Sequence, residues 1–185
     1  MAKHEVDDMT RQPGTAQWTY PIAPLLPAVI IRRAGEADLA GLMKVEEDCF
    51  GSERFNPEVV HAFLVRDNAF VLVGVEEGEF VGSAMALYSD EVSEGKIASI
   101  AVLRRCRGQG IGAELLRECE NIFRAHNLSR YSLEVETVNE PAIALYTSRG
   151  YHRKGIIDDF YGLGRHAYCM EKMAGIRKGD SVKPS

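Results

Sequence analysis

Three glycines stand at alternate positions, Gly108, Gly110 and Gly112, between an apolar run, "IASIAV", and a run with helical spacing. No other feature of the chain restricts its fold as strongly. A strand has to hand over to a helix there, through residues that tolerate a left-handed backbone and a close neighbour. A helix start carries unpaired N–H groups and the positive end of the macrodipole. Glycines in front of it let an anion approach those groups, and a diphosphate suits the arrangement. The plain alternative is a tight strand–helix turn without a ligand. Arg107 and Gln109, beside and between the glycines, speak against it.

The residues after the third glycine narrow the kind of diphosphate. A Walker loop needs Gly-Lys-Ser/Thr, whereas Ala113 and Glu114 come after Gly112. A dinucleotide loop is a fairer rival, since Gly108, Gly110 and Ala113 fit G-x-G-x-x-A and Glu136 ends the next strand, where a ribose-binding acid sits in that fold. But that fold repeats strand and crossover helix several times. Here the loop lies past mid-chain, after strands that read as antiparallel, and only one more helix comes later.

The order of elements is legible from period and punctuation. Residues 28–34 read as a strand and 35–50 as an amphipathic helix with acidic residues in its first turn. Residues 56–67 read as a second helix, with Asn56 as N-cap and Pro57 at its first position. Residues 69–88 give two strands around "EEGE", a hairpin by spacing, and 96–103 a third strand. After the glycine loop, Ile111, Leu115, Cys119 and Ile122 recur at helical spacing. A strand at 129–136, a helix at 139–150 and two closing strands, "YHRKGII" and "RHAYCMEKM", complete β-α-α-β-β-β-α-β-α-β-β. Residues 1–27, with four prolines after position 12 and no period, read as a loosely held extension on which Trp18 and Tyr20 are the anchoring candidates; residues 175–185 read as a polar tail.

Within this order of elements, Arg107-Gly108-Gln109-Gly110-Ile111-Gly112 resembles the R/Q-x-x-G-x-G/A motif of the GNAT superfamily, the acyl-CoA-dependent N-acetyltransferases. The resemblance covers residues 28–174, and loop, preceding "SIAV" and downstream "NEPAIALYTSRGY" at this spacing are together highly specific. It implies an α/β fold, a mixed, mostly antiparallel twisted sheet with helices on both faces. It also implies a V-shaped splay between two central strands, "SIAV" and "SLEVE". The pantetheine arm of acetyl-CoA is then expected to pair with the backbone of Ile100, Ala101 and Val102. The pyrophosphate is expected on Arg107, Gly108, Gln109, Gly110, Ile111, Gly112 and Ala113, with Asn139 contacting the cofactor. No metal is implied.

Acyl transfer to an amine needs a proton acceptor for the nitrogen, a donor for the oxyanion and a proton for the departing thiolate. Tyr146 by periodicity is a core-facing aromatic, since Ala142 and Leu145 share its helical face. The resemblance instead puts it near the CoA sulfur as general acid. A phenol of pKa ~10 protonates a thiolate of pKa ~8.5 only uphill, so its help is partial or concerted. Glu134 alternates with Tyr131, Leu133 and Val135, which by itself gives a polar strand face. A carboxylate in a central strand is costly unless water or a partner reaches it. "LEVETVNEPAIALY" resembles the ribosomal-protein alanine N-acetyltransferase branch, which makes Glu134 the base, directly or through water. The oxyanion is expected on a backbone N–H of residues 100–102.

The same branch implies a protein N-terminus as acceptor, with a ribosomal protein among the candidates. Phe160 and Tyr161 occupy the place of the tyrosine pair that flanks the peptide there, with phenylalanine in place of the first tyrosine. Phe50 and Phe55 are the candidates for the opposite wall, in a loop that lacks the Pro-Trp frequent in the bacterial ribosomal enzyme. An α-amine has a pKa of ~7.8 against ~10.4 for lysine, so deprotonating lysine costs roughly 3.5 kcal/mol more. A single strand-borne carboxylate is better matched to the easier task. Lysine side chains and small amines stay as alternative acceptors, and a non-catalytic acetyl-CoA sensor as an alternative of another class.

Composition sets outer bounds. The 185 residues suit one domain, and a net charge of -5 argues against a general nucleic-acid surface. No apolar run reaches the about 18 residues that a membrane span requires, and the acidic, polar N-terminus does not read as a signal peptide. Four scattered cysteines and five dispersed histidines show no metal spacing, and the thiols are expected reduced, in the cytoplasm. No cysteine is placed as a nucleophile, so a direct ternary-complex reaction is expected. Monomer and homodimer are both compatible with the sequence.

Overall fold

The computed structural model describes residues 29–175. The expected extension over 1–27 and nearly all of the expected tail over 175–185 lie outside the described residues. Within them the chain runs β1 (Ile30–Arg33), α1 (Leu39–Phe50), α2 (Pro57–Val65), β2 (Ala69–Glu76), β3 (Glu79–Ser89) and β4 (Glu94–Val102). It continues through α3 (Ile111–Ala125), β5 (Arg130–Glu136), α4 (Glu140–Ser148), β6 (His152–Ile157) and β7 (Ala167–Met173). This is the order read from the sequence.

The helix starts reflect local chemistry. Asn56 accepts from the Val59 amide at 2.9 Å and Pro57 takes the first helical position. Asn139 caps α4 by accepting from the Ala142 amide at 3.3 Å. One boundary differs from the expectation. Glu36 and Asp38 form a short 3-10 turn, and α1 begins only at Leu39, with no acidic residue in its first turn. Asp38 is drawn away from the helix dipole by a bidentate pair with Arg32, at 2.7 and 2.9 Å, and by the Gly35 amide at 2.9 Å.

The strands form a seven-stranded sheet in the order β1-β2-β3-β4-β5-β7-β6. Every neighbouring pair is antiparallel except β4 and β5, joined by the crossover through α3. Alternate residues of β2 show the layering. Phe70 and Leu72 pack in a cluster with Ile111, Leu115 and Phe123 of α3, while Val71 and Val73 pack with Leu42 of α1 and Val60 of α2. Helices α3 and α4 therefore cover one face, since Ile143 and Tyr146 share the α3 cluster, and α1 and α2 cover the other.

The sheet opens at its centre, and the cause is local. Ala86 pairs with Ile97 but Met85 pairs with Ser99, which leaves Ala98 as an extra residue, a β-bulge. A bulge bends its strand and strengthens its twist. The parallel ladder between β4 and β5 ends at this point, at Ile97 opposite Leu133. Both strands run on: β4 stays paired with β3 to Val102 and β5 with β7 to Glu136. Their far halves thus border a V-shaped gap.

Below the gap the packing is tight. A Cβ placed on Gly95 would lie 2.5 Å from ring atoms of Phe123, a fully buried side chain locked against Phe70 and Tyr131. Gly95→Ala is expected to cost about 1–3 kcal/mol, the usual range for overpacking. The urea midpoint measures it, and an unshifted midpoint would mean that the Phe123 ring yields freely.

Candidate active site

At the open end of the gap, β4 turns through a 3-10 segment, Arg104–Cys106, into the glycine loop. Gly108 has φ +76° and Gly110 φ +85°, the left-handed region that costs other L-residues about 1–2 kcal/mol. A Cβ built on either would meet no heavy atom within 4 Å, so the space over the loop is open. Gly110 is the N-cap of α3 and supplies no side-chain cap, while its carbonyl accepts from the Glu114 amide at 3.0 Å. The amides of Ile111, Gly112 and Ala113 thus sit in an uncapped first turn. Gln109 donates weakly to the Arg105 carbonyl at 3.4 Å, and the Nε of Arg107 donates to the Val102 carbonyl at 3.0 Å. Arg107 thereby joins the loop to the last residue of β4. Ile100, Ala101 and Val102 lie past the bulge, where β4 has no strand on its β5 side.

Glu134 is the first β5 residue beyond the paired section, on the face away from α3. Its side chain is mostly buried, and the partner that makes this tolerable is Lys96, whose Nζ donates to Oε1 at 2.8 Å. The second carboxylate oxygen takes no hydrogen bond among the described residues. Tyr161 donates from its hydroxyl to the Glu134 backbone carbonyl at 3.2 Å, so the β6–β7 loop is pinned beside this carboxylate. Burial, with Glu134 and Glu136 nearby, pushes the Tyr161 hydroxyl up to about 12.

Tyr146 lies on the opposite face of the sheet, in the cluster with α3, with its ring edge-on to Tyr151 at 5.9 Å. Burial first, and then Tyr161 and Cys119, raise its pKa strongly. At neutral pH it is a proton donor only. Its neighbour Leu145 reaches the space over Gly112 together with Val102, so α4 borders the glycine loop.

The α1–α2 connection and the β6–β7 loop meet where Arg165 reaches Glu53. Asp159 organises the β6–β7 loop: its carboxylate accepts from Gly164 at 2.7 Å and its carbonyl from Gly162 at 3.0 Å. The loop presents Phe160 and Tyr161, stacked edge-on at 4.9 Å and both partly exposed. On the other side Phe50, the last residue of α1, is partly exposed. Phe55 instead turns into the α1–α2 layer against Phe63, with ring centroids 6.4 Å apart. Its amide donates to Glu46 at 3.2 Å. Glu46 is a carboxylate 1% exposed, and burial raises its pKa against the opposing pull of that amide.

Sequence reasoning missed Arg165. Its Nε and Nη2 grip the Glu136 carboxylate at 2.6 and 3.1 Å, and its Nη1 reaches Glu53 in the turn after α1. The pairing holds the Glu136 carboxyl below its usual range. One guanidinium therefore ties the end of β5, the α1–α2 connection and the β6–β7 loop together. The available signal was a lone cation amid "DDFYGLG" and next to a strand. Lys96 and Glu46 were missed too, the first as one polar residue in a strand, the second as one more acid in "EED". Among the described residues no group of three or more His, Cys, Asp or Glu side chains is arranged to hold a metal ion. No helix among them is long and apolar enough to cross a membrane.

Comparison with known proteins agrees with this geometry. The family model described as the acetyltransferase (GNAT) family matches residues 39–151. An uncharacterised N-acetyltransferase of Methanocaldococcus jannaschii is 30% identical over 155 residues, 83% of this chain and 97% of that protein. The N-alpha-acetyltransferase RimI of Mycobacterium tuberculosis is 37% identical over 83 residues, 44% of this chain and 51% of that protein. Among solved structures, the ribosomal-protein-S18-alanine N-acetyltransferase of Escherichia coli superposes with a TM-score of 0.75 at 19% identity, over 85% of this chain and 100% of that one. At that identity the likeness is one of fold.

Proposed function

The chain belongs to the GNAT family of acetyltransferases, and on that premise we propose that it transfers an acetyl group from acetyl-CoA to the α-amino group of a protein N-terminus. The residues present fit acetyl-CoA as co-substrate. Two left-handed glycines leave open space over an uncapped helix start, which suits the diphosphate. The strand backbone at Ile100, Ala101 and Val102 has no neighbour on the gap side, which suits an extended pantetheine amide chain. Asn139 spends its side-chain oxygen on the Ala142 amide and keeps its amide donors for the cofactor.

The observation that carries the acceptor assignment is the junction of Tyr161 and Glu134. The loop that would flank a peptide is hydrogen-bonded to the residue that would take its proton. In this reading Glu134 accepts the ammonium proton with the oxygen that Lys96 leaves free. The nitrogen then attacks the thioester carbon, and a backbone N–H of β4 beyond the bulge receives the carbonyl oxygen. As the tetrahedral intermediate collapses the C–S bond breaks, and the proton still carried by the attacking nitrogen passes to the departing sulfur through the Tyr146 hydroxyl, which ends the step protonated as it began. The difference of ~2.6 pKa units between lysine and an α-amine favours the N-terminus for a single carboxylate base. The relative named as an N-alpha-acetyltransferase supports the same acceptor class, and a ribosomal protein is a candidate within it. The catalytic domain is taken as residues 28–174, acting in the cytoplasm.

The test is CoA release from acetyl-CoA with short peptides, each with a free or blocked N-terminus and with or without lysine, beside polyamines and aminoglycosides. Turnover lost on blocking the N-terminus is the expected result. Turnover that survives blocking but requires lysine, or arises only with small amines, would overturn the acceptor assignment and leave the fold and the cofactor in place.

A further inference from the structure

The bridge through Arg165 is built asymmetrically, and the asymmetry points to a selective role. Two of its nitrogens hold Glu136 in a fork, the strong bidentate arrangement. Glu136 is set on a strand paired with β7 through Ala167, and its side chain is 23% exposed. The third nitrogen, Nη1, holds Glu53, which stands on a one-turn 3-10 segment with its side chain 56% exposed. One partner is fixed to the sheet; the other is a surface carboxylate on a short connection. Arg165 also lies 5.9 Å over the Tyr161 ring, and Tyr161 is bonded to the Glu134 carbonyl. The guanidinium therefore stands at the mouth of the gap, between the two loops and one side chain away from Glu134.

Two carboxylates against one guanidinium leave the cluster at -1. A further carboxylate arriving on an acceptor meets net repulsion while Glu53 stays bound. It meets an unpaired Nη1 donor once Glu53 leaves. We propose that Arg165 is a specificity-determining residue of the acceptor mouth, that it holds Glu136 constitutively and Glu53 exchangeably, and that a carboxylate on the acceptor close to the reacting amine takes the place of Glu53 on Nη1. The proposal rests on the acetyl-transfer reading above. It assigns Glu53 the role of an internal competitor, which lowers the rate with acidic acceptors and leaves neutral ones to the aromatic walls.

The experiment compares kcat/KM for matched acceptors that differ by one carboxylate: peptides beginning with Asp or Asn, peptides with Asp or Asn at the second position, and a free amino acid against its amide. The last pair reads the same ratio when the acceptor proves to be a small amine. The wild type, Glu53→Gln and the double variant Glu53→Gln/Arg165→Met are each checked for an unchanged unfolding midpoint. In Glu53→Gln the acid-to-neutral ratio is expected to rise about fivefold in at least one series, the factor for about 1 kcal/mol of partly exposed charge pairing. The double variant is expected to lose that gain. A ratio within twofold of wild type in every series for Glu53→Gln overturns the proposal. So does a gain that persists without Arg165, which would reduce Glu53 to simple repulsion. Absence of acetyl transfer to any amine overturns this proposal and the catalytic reading together. Transfer confined to small amines overturns only the N-terminal assignment.

Discussion

Glu134→Gln is expected to lower kcat by about 100- to 10,000-fold, the span in which a positioned general base contributes, while acetyl-CoA binds within about twofold of wild type. The substitution is close to isosteric, and a glutamine oxygen still accepts from Lys96, so the Lys96 contact at 2.8 Å and the strand pairing of β5 survive. What is lost is a group able to carry the acceptor proton. The loop proposed to hold acetyl-CoA lies on another element, before α3, while the side-chain partner of Glu134 is Lys96. Rate and cofactor affinity should therefore separate, and single-turnover acetyl transfer beside calorimetric titration with acetyl-CoA reads both. An unaltered rate would remove Glu134 from the chemistry and leave its carboxylate as a partner for Lys96. A wild-type protein that binds acetyl-CoA and turns over no amine would return the sensor alternative. Glu136, two residues on, lies on the same face, but both of its oxygens already accept from Arg165, whereas Lys96 reaches only one oxygen of Glu134.

How much of the fold and the site was legible depends on how local each signal is. The glycine loop announced itself because its cause is local: left-handed φ at Gly108 and Gly110 must be written as glycine. Alternation in "YSLEVE" set Glu134 on the polar face of its strand. The partner that stabilises it there, Lys96, is 38 residues away and depends on the register of the one parallel pair, which no local pattern encodes. Arg165 is harder still, with partners 29 and 112 residues distant. The bulge that opens the sheet falls on Ala98, with neither glycine nor proline to mark it, so the splay was inferred from the family resemblance and its cause was not. The start of α1 moved because Arg32, on the preceding strand, competes for Asp38. Phe55 was read as a wall from its loop position, but the proximity of Phe63 turns its ring inward. Tyr146 is core-facing, as its periodicity predicts. It is a buried member of the main cluster, on a helix whose Leu145 lies beside Gly112 of the glycine loop.

Gly110→Val is expected to raise the dissociation constant for acetyl-CoA by about 100-fold, the equivalent of losing one or two charge-assisted hydrogen bonds at about 1.5–3 kcal/mol each. The residue is the N-cap of α3 at φ +85°, a conformation that a β-branched side chain adopts only under strain. The backbone would relieve that strain by turning out of the left-handed region, which re-aims the amides at the start of α3. If it did not turn, the valine side chain would itself occupy space that is open over the loop. Both routes act on the anion site and neither touches Glu134. Gly112→Ala is the control. Gly112 has no positive φ, and its added Cβ would meet Leu145 and Val102 at 3.6 and 3.7 Å, ordinary contact distances. It should bind acetyl-CoA within a few-fold of wild type. Titration calorimetry on both variants, with unfolding midpoints beside it, separates a lost cradle from a lost fold. Wild-type affinity in a folded Gly110→Val protein would mean that the glycines only turn the chain and that acetyl-CoA is held elsewhere.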